Sequence, residues 1–186
     1  MTTAPQSPQT PPDDSQAPQP TKLTQRKWFK NVIFLIFLLG IYLALRPFMQ
    51  GDVIQGAAPL FESESITGQP IRLADYRGKP VVVHFWATWC PICKLEGGTI
   101  EAISKDYPVI NIATQSLDNA GLLAYADENN LNPEQIVNDF SGQLMQAYGA
   151  RAVPATFIID SDGQIAFVEV GYTTSLGLRA RLWWLQ

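Results

Sequence analysis

Residues Val81-Val82-Val83-His84-Phe85-Trp86-Ala87-Thr88-Trp89-Cys90-Pro91-Ile92-Cys93-Lys94-Leu95-Glu96 decide the fold. Val81 to Trp86 is β-branched and aromatic, too short for a helix and preceded by Gly78-Lys79-Pro80, so it reads as a buried central strand. Proline favours the first helical position, where its missing N–H would lack a partner anyway, so Cys90 is expected to cap a helix beginning at Pro91. The unpaired N–H groups and positive dipole end of such a helix favour a thiolate at Cys90. Cys93, one turn further in, is expected to be better buried and to resolve a mixed disulfide formed at Cys90.

Cys90 and Cys93 are the only cysteines, and His84 is the only histidine. A closed structural zinc site needs four Cys or His ligands, so the composition argues against one and no cofactor or metal is expected. A fixed structural disulfide is a second reading, although so short a loop constrains the unfolded chain weakly.

Working outward, residues 1–27 read as a tail. Six prolines fall among the first 21 residues, with too few large apolar side chains to offset the entropy of ordering. Val32 to Leu45 carries no charge and is apolar all round. With Trp28, Phe29, Phe48 and Met49 extending it, the stretch 28–49 reads as a transmembrane anchor, against the alternative of a buried core helix. Lys22, Arg26, Lys27 and Lys30 precede the run and Arg46 follows it, which places the amino terminus in the cytoplasm. Cleavage near Gly56-Ala57-Ala58 is the alternative to an uncleaved anchor. Residues 50–58 read as a linker, and 59–186 as the exported domain.

Residues 1–50 carry five bases and two acids, leaving −7 for the rest of a chain whose total is −4. An acidic domain argues against nucleic acid as a partner. The absence of further cysteines suits an oxidising compartment.

Within that domain, Pro59-Leu60-Phe61 and Ile71-Arg72-Leu73 are expected to pair as a hairpin across Thr67-Gly68-Gln69-Pro70. A helix follows the cysteines to about Ser104, where Gly97-Gly98 implies a kink or close packing. Then come a strand at 109–113, a helix at 119–129, a short helix at 143–148, a strand at 157–160, a turn at Asp160-Ser161-Asp162-Gly163 and a closing helix at 175–184. Strands alternating with helices and ending in a hairpin and helix predict an α/β fold with a mixed sheet.

The stretch Phe85-Trp86-Ala87-Thr88-Trp89-Cys90-Pro91-Ile92-Cys93 resembles the active-site signature of the thioredoxin superfamily. The resemblance implies a mixed central sheet flanked by helices and a cis-proline loop facing the cysteines. Pro154 in Val153-Pro154-Ala155-Thr156 is the candidate for that loop; the alternative is an ordinary proline at a strand entrance. The amino-terminal hairpin resembles the TlpA-like and ResA-like branch, whose membrane-tethered members carry one. Gly171 to Trp184 resembles the tail of the D-type suppressor-of-copper-sensitivity proteins, which are periplasmic oxidoreductases.

The resemblance also bears on the neighbours of the cysteines. Thioredoxin carries a buried aspartate six residues before its first cysteine, where this chain has His84. An imidazole can move a proton there, or simply be a hydrogen-bonded core histidine. Glu96 matches a glutamate that ResA-like proteins place beside the active site, where it would modulate ionisation; alternatively it complements the helix dipole. Trp89 offers a flat apolar surface to a substrate, and the backbone of Val153, beside Pro154, can pair with an extended segment.

The expectation is therefore a protein-disulfide oxidoreductase at the bacterial inner membrane with its catalytic domain in the periplasm. Protein thiols or disulfides are its substrates, and a membrane thiol-electron donor is a candidate partner. A disulfide-donating oxidase, a peroxidase and a non-catalytic thioredoxin-like binding module are the competing readings. Cytochrome c maturation competes with copper-stress thiol repair as the setting.

Overall fold

The structure, a computed structural model, describes the backbone of residues 22–50 and 54–186 and the side chains of 28–43 and 54–186. Most of the proline-rich tail lies outside the described residues. The chain divides between Leu43 and Ala44 into two units, each compact in itself.

The first contains most of helix α1, Lys22–Gln50. Its described side chains from Ile33 to Leu43 are largely exposed apolar groups. Among the described residues no helix is long and apolar enough to cross a membrane. The expected anchor at 28–49 lies within α1, and the side chains of its last six residues lie outside the described residues.

The second unit holds β1 (Gly56–Ala57), β2 (Glu62–Glu64), β3 (Pro70–Arg72), β4 (Val81–Trp86), α2 (Pro91–Ser104), β5 (Val109–Thr114), α3 (Asn119–Glu128), β6 (Ile136–Asp139), α4 (Gln143–Ala147), β7 (Ala155–Ile159), β8 (Gln164–Val170) and α5 (Ser175–Trp184). Six strands form one sheet in the order β1-β8-β7-β4-β5-β6. β4 runs parallel to β5 and antiparallel to β7, so the sheet is mixed as expected.

All six residues of β4 are buried, because helices or the hairpin cover both faces of this central strand. One face packs Phe85, Tyr148 and Phe157 with ring centroids 5.0–5.7 Å apart, in the edge-on and tilted arrangements aromatic pairs prefer. The Tyr148 hydroxyl donates to the carbonyl of Pro59 at 3.1 Å, tying the start of the hairpin to this cluster. The other face packs Val82 and Ile158 against Ile100 and Ile103 of α2 and Leu178 and Leu182 of α5.

The expected hairpin forms, displaced along its first strand. Glu62–Glu64 pairs with Pro70–Arg72 antiparallel, while Phe61 only accepts the Leu73 N–H at 3.2 Å. Two strands were not anticipated. Gly56–Ala57, within the stretch read as a linker, pairs antiparallel with β8. Ile136–Asp139 pairs parallel with β5 and closes the other edge. Gly97 and Gly98 neither interrupt α2 nor pack tightly. A Cβ at Gly98 would meet nothing within 4 Å, and one at Gly97 only Leu131 at 3.9 Å.

Candidate active site

β4 carries the chain to one end of the central strands and α2 begins soon after, so the cysteines sit at the strand-to-helix junction. Cys90 is the N-cap of α2 with extended backbone, and its sulfur accepts the Cys93 N–H at 3.1 Å. That bond occupies one of the helix's unpaired donors, and in the reduced state the same N–H would stabilise a thiolate. Cys90 and Cys93 form a disulfide with Cα atoms 5.3 Å apart. Their exposures are 5% and 4%. The expected difference in burial is therefore absent in this oxidised state, because Val153 and neighbouring side chains pack around both sulfurs.

The Val153–Pro154 peptide bond is cis, and the Val153 carbonyl oxygen lies 3.7 Å from the Cys90 sulfur. Gly171 N–H donates to the Pro154 carbonyl at 2.9 Å, joining this loop to the end of β8. The fold thus brings Cys90, Cys93, Val153 and Pro154 together from positions some sixty residues apart.

Trp89 stands at the rim, 63% exposed. Its indole N–H donates to the Gln115 carbonyl at 2.9 Å. Gln115 has φ +46°, a left-handed value that is uncommon for a residue with a side chain. Ile92 and Leu95 of α2 are exposed nearby in sequence, and Lys94 lies between them on the surface.

Behind the disulfide the surroundings become polar and closed. His84 is buried, and its Nδ1 shares a 2.9 Å hydrogen bond with the Thr156 hydroxyl on β7. Burial pushes its pKa down to about 3, so the ring is neutral over the working range. A histidinium that favours the Cys90 thiolate is therefore absent, as is a ring titrating near seven. Glu96 is also fully buried. Its Oε1 accepts the Thr173 N–H at 3.1 Å, while Oε2 has no protein partner. Desolvation pushes this carboxyl up to about 7 against the opposing pull of the Thr173 N–H. Dipole complementation at a solvated helix start does not describe a carboxyl held in this way.

Thr156, Thr173 and Gln115, which position His84, Glu96 and Trp89, escaped sequence reasoning. The contacts span 26 to 77 residues and leave no local pattern. Among the described residues no group of three or more His, Cys, Asp or Glu is arranged to hold a metal.

A mixed sheet, a Cys-Pro-Ile-Cys disulfide capping a helix and a facing cis-proline together make up the site. The AhpC/TSA family model matches residues 54–168. The chain belongs to the AhpC/TSA family. The thiol-disulfide oxidoreductase ResA of Geobacillus thermodenitrificans is 30% identical, over 87% of this chain and 97% of its own length. The thiol:disulfide interchange protein DsbE of Pseudomonas fluorescens biotype C is 32% identical over 78% and 86%. Among solved structures, the exposed lipoprotein thioredoxin of Streptococcus pneumoniae shares 27% identity with a TM-score of 0.60, covering 68% of this chain and all of that one. Within its family, then, this is a thioredoxin-like thiol-disulfide oxidoreductase of the ResA and DsbE kind.

Proposed function

We propose that this oxidoreductase reduces disulfides of periplasmic proteins while tethered to the inner membrane by the segment 28–49. Cys90 attacks and Cys93 resolves. The placement of the Cys90 sulfur carries this reading: it accepts the Cys93 N–H at the helix start and faces the Val153 carbonyl beside the cis-proline. A polypeptide disulfide brought along Val153 in extended form would meet that sulfur in line with a backbone it can pair with. Trp89 adds a flat apolar contact. Pro154 shapes the groove.

Glu96 modulates the pair by changing charge near neutral pH one helical turn beyond Cys93. His84, neutral and bonded to Thr156, holds the strand interior and lends a polar surface behind Cys93. The uncharged run Val32 to Leu45 and the excess of Lys and Arg before it support the tether and its orientation. A membrane thiol-electron donor would re-reduce the pair. Residues 171–184 favour a kinship with the D-type suppressor-of-copper-sensitivity proteins, with copper-stress thiol repair and cytochrome c maturation as the candidate settings.

The deciding experiment is the reduction potential of the full chain in detergent, equilibrated against glutathione and dithiothreitol buffers. A reductase is expected near the thioredoxin value of about −270 mV, and a disulfide donor near about −120 mV. A pair that does not exchange in either buffer removes the catalytic reading and leaves a tethered binding module.

A further inference from the structure

Gly97 and Gly98 lie in the interior of α2, where each costs about 1 kcal/mol relative to alanine. Nothing in the packing of the helix requires them, since a Cβ at Gly98 has open space around it and one at Gly97 makes only ordinary contact. What they border is a cavity of about 130 Å³ between α2, α3 and the sheet.

Cys93 forms part of the cavity wall. So do His84 and Asn111, paired across β4 and β5 in register and both buried. Trp86 and Tyr125, with ring centroids 5.4 Å apart, supply an apolar side. Glu101 completes the lining, and its Oε2 is buried without any hydrogen-bond partner in the protein. An orphaned carboxylate oxygen calls for a donor. The space is roomy enough for water, and Lys94, Asn111, Asn129 and Glu101 line it with polar groups that can hold it.

We propose that the glycine pair keeps open a water-filled route through which the Cys93 proton leaves toward Glu101 when the resolving thiol attacks. The inference rests on Cys93 being the resolving cysteine. Cys93 gives its proton to cavity water, which passes it to the Glu101 carboxylate and so to solvent. The thiolate attacks the Cys90 sulfur, the intramolecular S–S bond forms, and the bond from Cys90 to the substrate sulfur breaks. The substrate thiolate leaves with the electron pair and takes a proton from solvent, so the substrate is reduced and the cysteine pair oxidised by two electrons.

The titratable groups around the route are His84 from β4, Lys94 and Glu101 from α2 and Tyr125 from α3. Glu96 does not line it and instead engages Thr173. Glu101 thus acts through water on a sulfur it does not touch.

The test uses the reduced full chain in detergent mixed with an aromatic disulfide whose thiolate is coloured. The first thiolate released reports attack by Cys90 and the second reports resolution by Cys93. Gly97→Leu adds a side chain at the cavity wall, where a Cβ would meet Leu131 at 3.9 Å, and Glu101→Gln removes the proton acceptor. In both, the first phase should stay at the wild-type rate. The second should slow about tenfold or more, as loss of assisted proton transfer implies. Both variants should also alter the solvent isotope effect of that phase, which a merely structural change would not do. A second phase unchanged in either variant overturns the proposal. So does slowing by Glu96→Gln alone, which would send the proton out on the Thr173 side. A wild-type chain that releases no second thiolate would instead refute the resolving role of Cys93.

Discussion

The two sides of the disulfide are built from opposite materials. Toward solvent stand Trp89, Ile92 and Leu95, the last 75% exposed, with the Val153 carbonyl beside the Cys90 sulfur. Toward the interior stand His84, Glu96 and Asn111, all buried. The outer side can recognise a polypeptide through apolar area and backbone, which tolerates many sequences. The inner side is costly in free energy, because each polar group there has been taken from water. It pushes two titrating groups in opposite directions, His84 down to about 3 and Glu96 up to about 7. On the proposed reading, recognition falls where side chains are interchangeable, and proton handling where they are not.

The largest expected effect separates the cysteines themselves. Cys90→Ser should reduce disulfide exchange to background. Cys93→Ser should still attack and then accumulate mixed disulfides with protein substrates, visible as adducts on a non-reducing gel. Equal trapping by both variants would erase the assigned roles.

Next comes the interior. His84, with its folded pKa below the unfolded 6.5, contributes stability that is complete above about 6.5 and lost as pH falls toward about 3. Glu96, with its pKa raised above 4.5, contributes stability that is complete below about 4.5 and lost as pH rises through about 7. The Glu96 shift corresponds to about 3 kcal/mol. Glu96→Gln should accordingly unfold at higher urea than wild type at pH 8 and show no such gain at pH 4. His84→Asn should lose the wild-type acid sensitivity between about 6.5 and 3. Parallel urea-midpoint curves for wild type and Glu96→Gln would mean that the carboxyl is solvated after all.

The smallest effect belongs to the rim. Trp89→Ala should lower kcat/KM for a protein disulfide about fivefold to tenfold, in keeping with a contact worth about 1 kcal/mol at a partly solvated edge. It should leave the rate with a small disulfide nearly unchanged. A uniform loss on both substrates would show that the indole positions Cys90 through Gln115 rather than contacting substrate.

Local sequence determined the junction. A β-branched run, a proline at the first helical position and a cysteine before it admit few backbone solutions, and β4, α2 and the capping sulfur follow. The helices expected at 119–129 and 175–184 form at 119–128 and 175–184, and in the structure Asp118 and Thr174 cap them. β1 and β6 were not. Gly-Ala and Ile-Val-Asn-Asp have no period long enough to register, and they are strands only because β8 and β5 offer them an edge. The glycine pair was visible but read as a kink or close packing, whereas it borders open space beside the helix.

What only the tertiary structure decided is the electrostatic character of the site. A histidine and a glutamate near two cysteines can be charged or neutral, and one-dimensional spacing does not say which. Burial of His84 against Thr156 and of Glu96 against Thr173 settles it, because desolvation depends on everything that packs around a group, including chain more than seventy residues away.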